Sequence, residues 1–103
     1  MVITIVQIPI PRRSDTEALD AARRSAPRFR ALEGQGLLRK YYLNGEQGGG
    51  GVYVWRSRQE AEAVFDQTWM ETMRETFGVE PTVTWYDSLL QVDNLAGEIL
   101  EPA

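Results

Sequence analysis

Hydrophobic and polar positions divide this chain into alternating strand-like and helix-like stretches. Val2 to Ile8 is β-branched and almost continuously apolar, the pattern of a strand covered on both faces. Pro9 and Pro11 stop it. Leu19, Ala22, Ala26 and Phe29 then recur at helical spacing and form one apolar stripe. Ser14-Asp-Thr-Glu17 is a capping box at the head of that stretch, with Ser14 at the N-cap and Glu17 reaching back. Acidic residues lie early and arginines late, which suits the helix dipole. Pro27 lies inside the stretch and predicts a kink, because it removes an amide donor and crowds the carbonyl of Arg23. Gly34 and Gly36 end the element.

A second half repeats the theme. Gly36-Leu-Leu-Arg-Lys-Tyr-Tyr-Leu43 gives a strand over Leu37 to Asn44, and Gly51-Val-Tyr-Val-Trp-Arg-Ser57 gives another over Val52 to Arg56. The glycine-rich run 45–51 between them reads as a flexible hairpin turn. It lacks the Lys-Ser/Thr pair and the following helix of a phosphate loop. Ser57-Arg-Gln-Glu60 is a second capping box, followed by Ala61, Val64 and Phe65 on a buried face. A third box, Thr68-Trp-Met-Glu71, falls inside what periodicity alone makes one helix. It predicts a break near Asp66–Gln67, a short further segment to about Thr76, and a Trp69 aimed inward. Glu80 to Asp87 alternates as a strand, with Pro81 at its beginning. Leu89 to Val92 either extends that strand or crosses to a partner. Residues 95–103 form a tail to which no element is assigned.

The order is β-α-β-β-α-β, an α+β class with an antiparallel sheet. The expected organisation is a single domain over 1–103, with its core in 2–94.

Alternation splits each strand into two faces. Leu38, Lys40, Tyr42 and Asn44 share one face of the second strand, and Leu37, Arg39, Tyr41 and Leu43 the other. Tyr53 and Trp55 share a face of the third. Val83, Trp85 and Asp87 oppose Thr82, Thr84, Tyr86 and Ser88 in the fourth. Large side chains therefore lie on both faces, and one helical layer covers only one. Face-to-face pairing of two sheets in a homodimer answers that imbalance.

Composition removes many chemistries. The chain has 103 residues and a net charge of −4, without the basic footprint of a nucleic-acid binder. Its charge is asymmetric: residues 1–58 hold ten Arg/Lys against five Asp/Glu, and residues 59–103 hold one against ten. There is no cysteine, hence no disulfide, thiol nucleophile or thiolate metal site. There is no histidine, which removes the commonest general base and the usual haem and metal ligand. No carboxylate spacing of a metal loop is present, so no metal is expected. The apolar start is too short to span a bilayer and lacks a basic region and cleavage site, so no membrane association and a cytoplasmic location are expected.

Candidate chemistry is sparse. Lys40 is the sole lysine. Beside Tyr42 it is either a partly buried cation of lowered pKa or a lysine laying its stem across apolar surface. Trp69 is either a pocket wall or plain core. Asp87 and Asp93 are candidate bases without an evident tuning partner.

The run Gly36 to Leu43, the run Gly50 to Ala63, Trp69, Phe77-Gly-Val79 and Val92-Asp-Asn94 together resemble the YdhR-type monooxygenases. Those are small members of the dimeric α/β-barrel superfamily, related to antibiotic-biosynthesis monooxygenases. The resemblance spans roughly residues 2–94. It implies a ferredoxin-like protomer, a homodimer whose sheets form a barrel, and a pocket between each sheet and its helices. It also implies cofactor-independent oxygenation of a small phenolic or quinol-like aromatic. In that reading Lys40 stabilises negative charge on the substrate oxygen, and Tyr42, Tyr53, Trp55 and Trp69 bind the substrate. Alternation alone does not place Tyr42 and Tyr53 on one side. Haem chemistry, which relatives support with a histidine, has no ligand here. The competing expectation is a small-ligand-binding homodimer without turnover.

Overall fold

A computed structural model describes residues 1–102. Its elements are β1 (Val2–Ile8), α1 (Asp15–Arg30), β2 (Leu37–Gly45), β3 (Gly48–Trp55), α2 (Arg58–Val64), α3 (Gln67–Phe77), β4 (Thr82–Asp87), β5 (Gln91–Asp93) and β6 (Glu98–Leu100). β1 to β4 form one antiparallel sheet in the order β2-β3-β1-β4, and β5 pairs with β6 as a separate hairpin. The protein is thus mixed α+β, consistent at a coarse level with the expected plan. Its second helix is divided, as the third capping box predicts, and it departs from that plan in an added hairpin. The four-stranded sheet does not close on itself: β2 and β4 are its edges.

The helices start where the caps place them. Ser14 Oγ accepts from Glu17 N at 3.2 Å, and Ser57 Oγ accepts from Glu60 N at 3.2 Å. The break after α2 falls at the predicted place, but its cap is different. Asp66, not Thr68, caps α3, its Oδ1 accepting from Trp69 N at 2.8 Å. α1 continues through Pro27 to Arg30. The proline stands three residues from the helix end, so the missing donor leaves most of the ladder intact.

The sheet has one covered face. Val2, Thr4, Val6 and Ile8 of β1 are buried, as are Tyr53 and Trp55 of β3. Phe29, Phe65, Trp69, Met73 and Phe77 from the helices pack against them. Among the described residues Thr4 is the one buried polar side chain, and Trp55 Nε1 donates to its hydroxyl at 3.0 Å. Register carries this face to the neighbouring strands: Lys40 lies opposite Tyr53, Tyr42 opposite Gly51, and Trp85 opposite Thr4. The other face carries Ile3, Ile5, Val52 and Val54, with Tyr41, Leu43 and Tyr86 exposed. The expectation that β1 is covered on both faces is met by one chain on one face only.

Three expectations require correction. A register shift between Leu37 and Arg39 moves Leu37 onto the covered face, where it is buried opposite Trp55. Strict alternation had placed it with Tyr41 and Leu43. The glycines 48–51 are not turn: they form the first half of β3, and the turn shrinks to Glu46–Gln47. Of the two readings of Leu89 to Val92, extension of β4 fails: Gln91–Asp93 form β5, which pairs with a strand in the unassigned tail. The chain turns at 94–97, where Asp93 Oδ1 accepts from Leu95 N and Ala96 N, and returns as β6. Ala103 of the expected tail lies outside the described residues.

Candidate functional site

A cleft of about 600 Å³ lies between the covered sheet face and helices α1 and α3, within the range of small-molecule sites. Sequence creates it by omission. α1 presents the small side chains of Ala18, Ala21 and Ala22 to the cleft, which leave space there. β3 presents Gly50. At φ +136°, a Cβ on Gly50 would overlap the carbonyl oxygen of Val6 on the neighbouring strand. Only glycine lets β1 and β3 approach this closely there. Gly51, one residue on, leaves the space through which the Lys40 stem runs, its Cε 3.2 Å from where a Cβ would stand.

Lys40 reaches this cleft from β2. Its Nζ lies 3.2 Å from the ring centre of Phe29, 4.0 Å from that of Tyr42 and 4.6 Å from that of Tyr53. Phe29 meets both tyrosines edge to face, 6.2 Å from Tyr42 and 5.8 Å from Tyr53. Ser25 Oγ and Tyr42 Oη, 2.6 Å apart, share a hydrogen bond that pins Tyr42 to α1. Burial first, and then the charge of Arg28, push the Lys40 ammonium down from 10.5 to about 7. The ring faces oppose that by attracting the cation. Burial, followed by neighbouring Tyr42, raises the Tyr53 phenol, so Tyr53 remains a protonated donor.

The structure therefore brings Lys40, Tyr42, Tyr53 and Trp69 into one cleft. Trp69 lines it through the break before α3. Phe65, at that break, stands 4.8 Å from Trp69, 5.1 Å from Tyr53 and 5.5 Å from Trp55. Trp55 does not line the cleft. It has 0% exposure, lies stacked behind Tyr53 at 6.0 Å and bonds Thr4, which makes it a core residue. Asp87 and Asp93 also stand apart, at the end of β4 and in the β5–β6 turn.

Sequence reasoning missed half of the site. Phe29 was legible only as the last apolar residue of the α1 stripe. Arg13, Arg24, Arg28, Ser25 and Asn44 line the cleft without any motif of their own. The charge asymmetry was the available signal. The charged side chains lining the cleft are Arg13, Arg24, Arg28 and Lys40, with no Asp or Glu among them. The ion pairs among the described residues lie elsewhere, at Arg30–Glu33, Arg56–Glu60, Arg58–Glu62 and Arg74–Glu80. Such a lining favours a negatively charged ligand. Among the described residues no cluster of acidic side chains is arranged to hold a metal ion, and no helix is long and apolar enough to cross a membrane. No protein-family model matches the chain, and no curated protein matches it.

Proposed function

We propose that the protein is a homodimeric, cofactor-independent monooxygenase of the YdhR type, acting on a small phenolic or quinol-like aromatic held in this cleft. The observation that carries the reading is the Lys40 amine, held among three aromatic faces in a cleft whose charged lining is entirely cationic. A neutral Lys40 accepts the proton of the substrate's phenolic or enolic oxygen. The resulting ammonium, with Arg28 beside it, then holds the substrate anion. That anion is electron-rich enough to reduce O2. One oxygen atom enters as a carbonyl at a ring carbon conjugated to the ionised oxygen, and the other leaves as water with that carbon's hydrogen and the proton held by Lys40. The substrate supplies all four electrons, so the stoichiometry requires no external reductant. The protein's part is to ionise, orient and shield the substrate.

The dimer is part of the proposal. Ile3, Ile5, Val52, Val54, Tyr41, Leu43 and Tyr86 form an apolar sheet face that no helix covers. Two such faces packed together remove on the order of 1,000 Å² or more from water, the scale of a stable interface. This pairing would give the ferredoxin-like dimeric barrel.

Oxygen uptake with a panel of anthrone- and quinol-type compounds tests the activity. The expected result is uptake above buffer that falls in Lys40→Met. Ligands that raise the melting temperature yet emerge unchanged, with no uptake beyond buffer, would instead establish a binding protein without turnover.

A further inference from the structure

The cleft has a second charged end that the oxygenation step does not use. Arg13, in the segment between β1 and α1, is fixed to the sheet by a reciprocal pair of hydrogen bonds. Its N donates to Asn44 Oδ1 at 3.1 Å, and Asn44 Nδ2 donates to its carbonyl at 2.8 Å. Its guanidinium runs beside Gly49, where a Cβ would stand 3.6 Å from Nη2. The Nε is buried and has no hydrogen-bond partner among the described residues. The guanidinium has no carboxylate partner among the described residues, so its charge is left to meet a ligand in the cleft. Asn44 and Lys40 lie on the same face of β2, four residues apart. Strand rise separates those positions by roughly 13 Å. On the sheet between them stand the Tyr42 ring and Val6, and Leu19 and Met73 add apolar lining to the cleft.

We infer that the cleft selects a two-ended substrate: a fused-ring or similarly elongated aromatic whose ionisable ring oxygen meets Lys40 and whose carboxylate meets Arg13. This rests on the reading of the cleft as the substrate site and adds the class of substrate it takes. A carboxylate fits because one guanidinium offers a planar fork matched to a planar, singly charged group. The apolar middle fixes the spacing between the two oxygens.

The test compares three probes on the full-length protein by isothermal titration: 6-hydroxy-2-naphthoic acid, its methyl ester, and 2-naphthol. The wild type is expected to bind the acid at least about tenfold more tightly than the ester or 2-naphthol, as a charge-assisted pair gives. Arg13→Gln should lose that preference while binding 2-naphthol as the wild type does. Lys40→Met should weaken all three and keep the preference. Equal wild-type affinity for acid and ester overturns the inference without any variant, and leaves the phenol-binding reading standing. A loss of all three ligands in a folded Arg13→Gln also overturns it, because Arg13 is then a structural tie of the loop. If the wild type binds none of the three, both the inference and the substrate-site reading fail.

Discussion

Replacing Lys40 by methionine should make the protein more stable at pH 6, with a benefit that shrinks as the pH rises. Folding lowers the Lys40 ammonium from 10.5 to about 7. Between those values the unfolded chain holds the proton and the folded chain does not, so stability rises with pH across that window. Below about pH 7 both states are protonated, and the folded state carries the full cost of a desolvated cation. At ~1.36 kcal/mol per pH unit the ceiling on that cost is about 5 kcal/mol. Two effects reduce it. Lys40 is only half-buried, so solvent screens it. Its three ring faces also stabilise the charged form. We therefore expect Lys40→Met to gain about 2 kcal/mol at pH 6 and less than about half of that by pH 9. The assay is urea denaturation of both proteins at one fixed concentration across this pH range. The difference between the curves removes the tyrosines and every other shared titration. A pH-independent difference, or a variant less stable at pH 6, would refute the reasoning.

Other perturbations probe the remaining elements. Gly50→Ala should cost several kcal/mol or prevent folding, since its Cβ would overlap the Val6 carbonyl; a melting temperature unchanged from wild type would contradict that packing. Asp66→Ala should cost about 1 kcal/mol in urea denaturation through loss of the α3 cap, while Thr68→Ala should be close to neutral. Val54→Asp, on the open sheet face, should yield a folded monomer in sedimentation equilibrium. Trp85→Asp should unfold the protomer instead, because Trp85 lies on the helix-covered face beside Phe65. A wild-type protein that sediments as one stable chain mass at low micromolar concentration would sink the dimer.

Much of the fold is local, and that much was legible. The β-branched run 2–8, the serine caps at 14 and 57, and the interrupted helix near Asp66 are each set by neighbouring residues. What escaped depends on distant partners. The bulge that buries Leu37 is a property of the β2–β3 pair, not of β2 alone. The glycines of β3 look like a turn until β1 is seen to press against them. Alternation sorted Tyr53 and Trp55 onto one face but did not say that Tyr53 would meet the cleft and Trp55 the core. The site itself converges from α1, β2, β3 and α3. Lys40 and Phe29 come within cation–π distance only because α1 folds back over β2. Arg13 is placed by Asn44, thirty-one residues away.

Anaerobic mixing of the protein with anthrone, followed by admission of air, tests the central claim most directly. The wild type at about pH 7.5 should develop the absorption of the anthrone enolate before oxygen enters, because burial brings the Lys40 ammonium down to about 7. Air should then consume one O2 for each anthraquinone formed, with both steps lost in Lys40→Met. Anthrone that keeps its neutral spectrum in the cleft, with oxygen uptake no faster than in buffer, would contradict it.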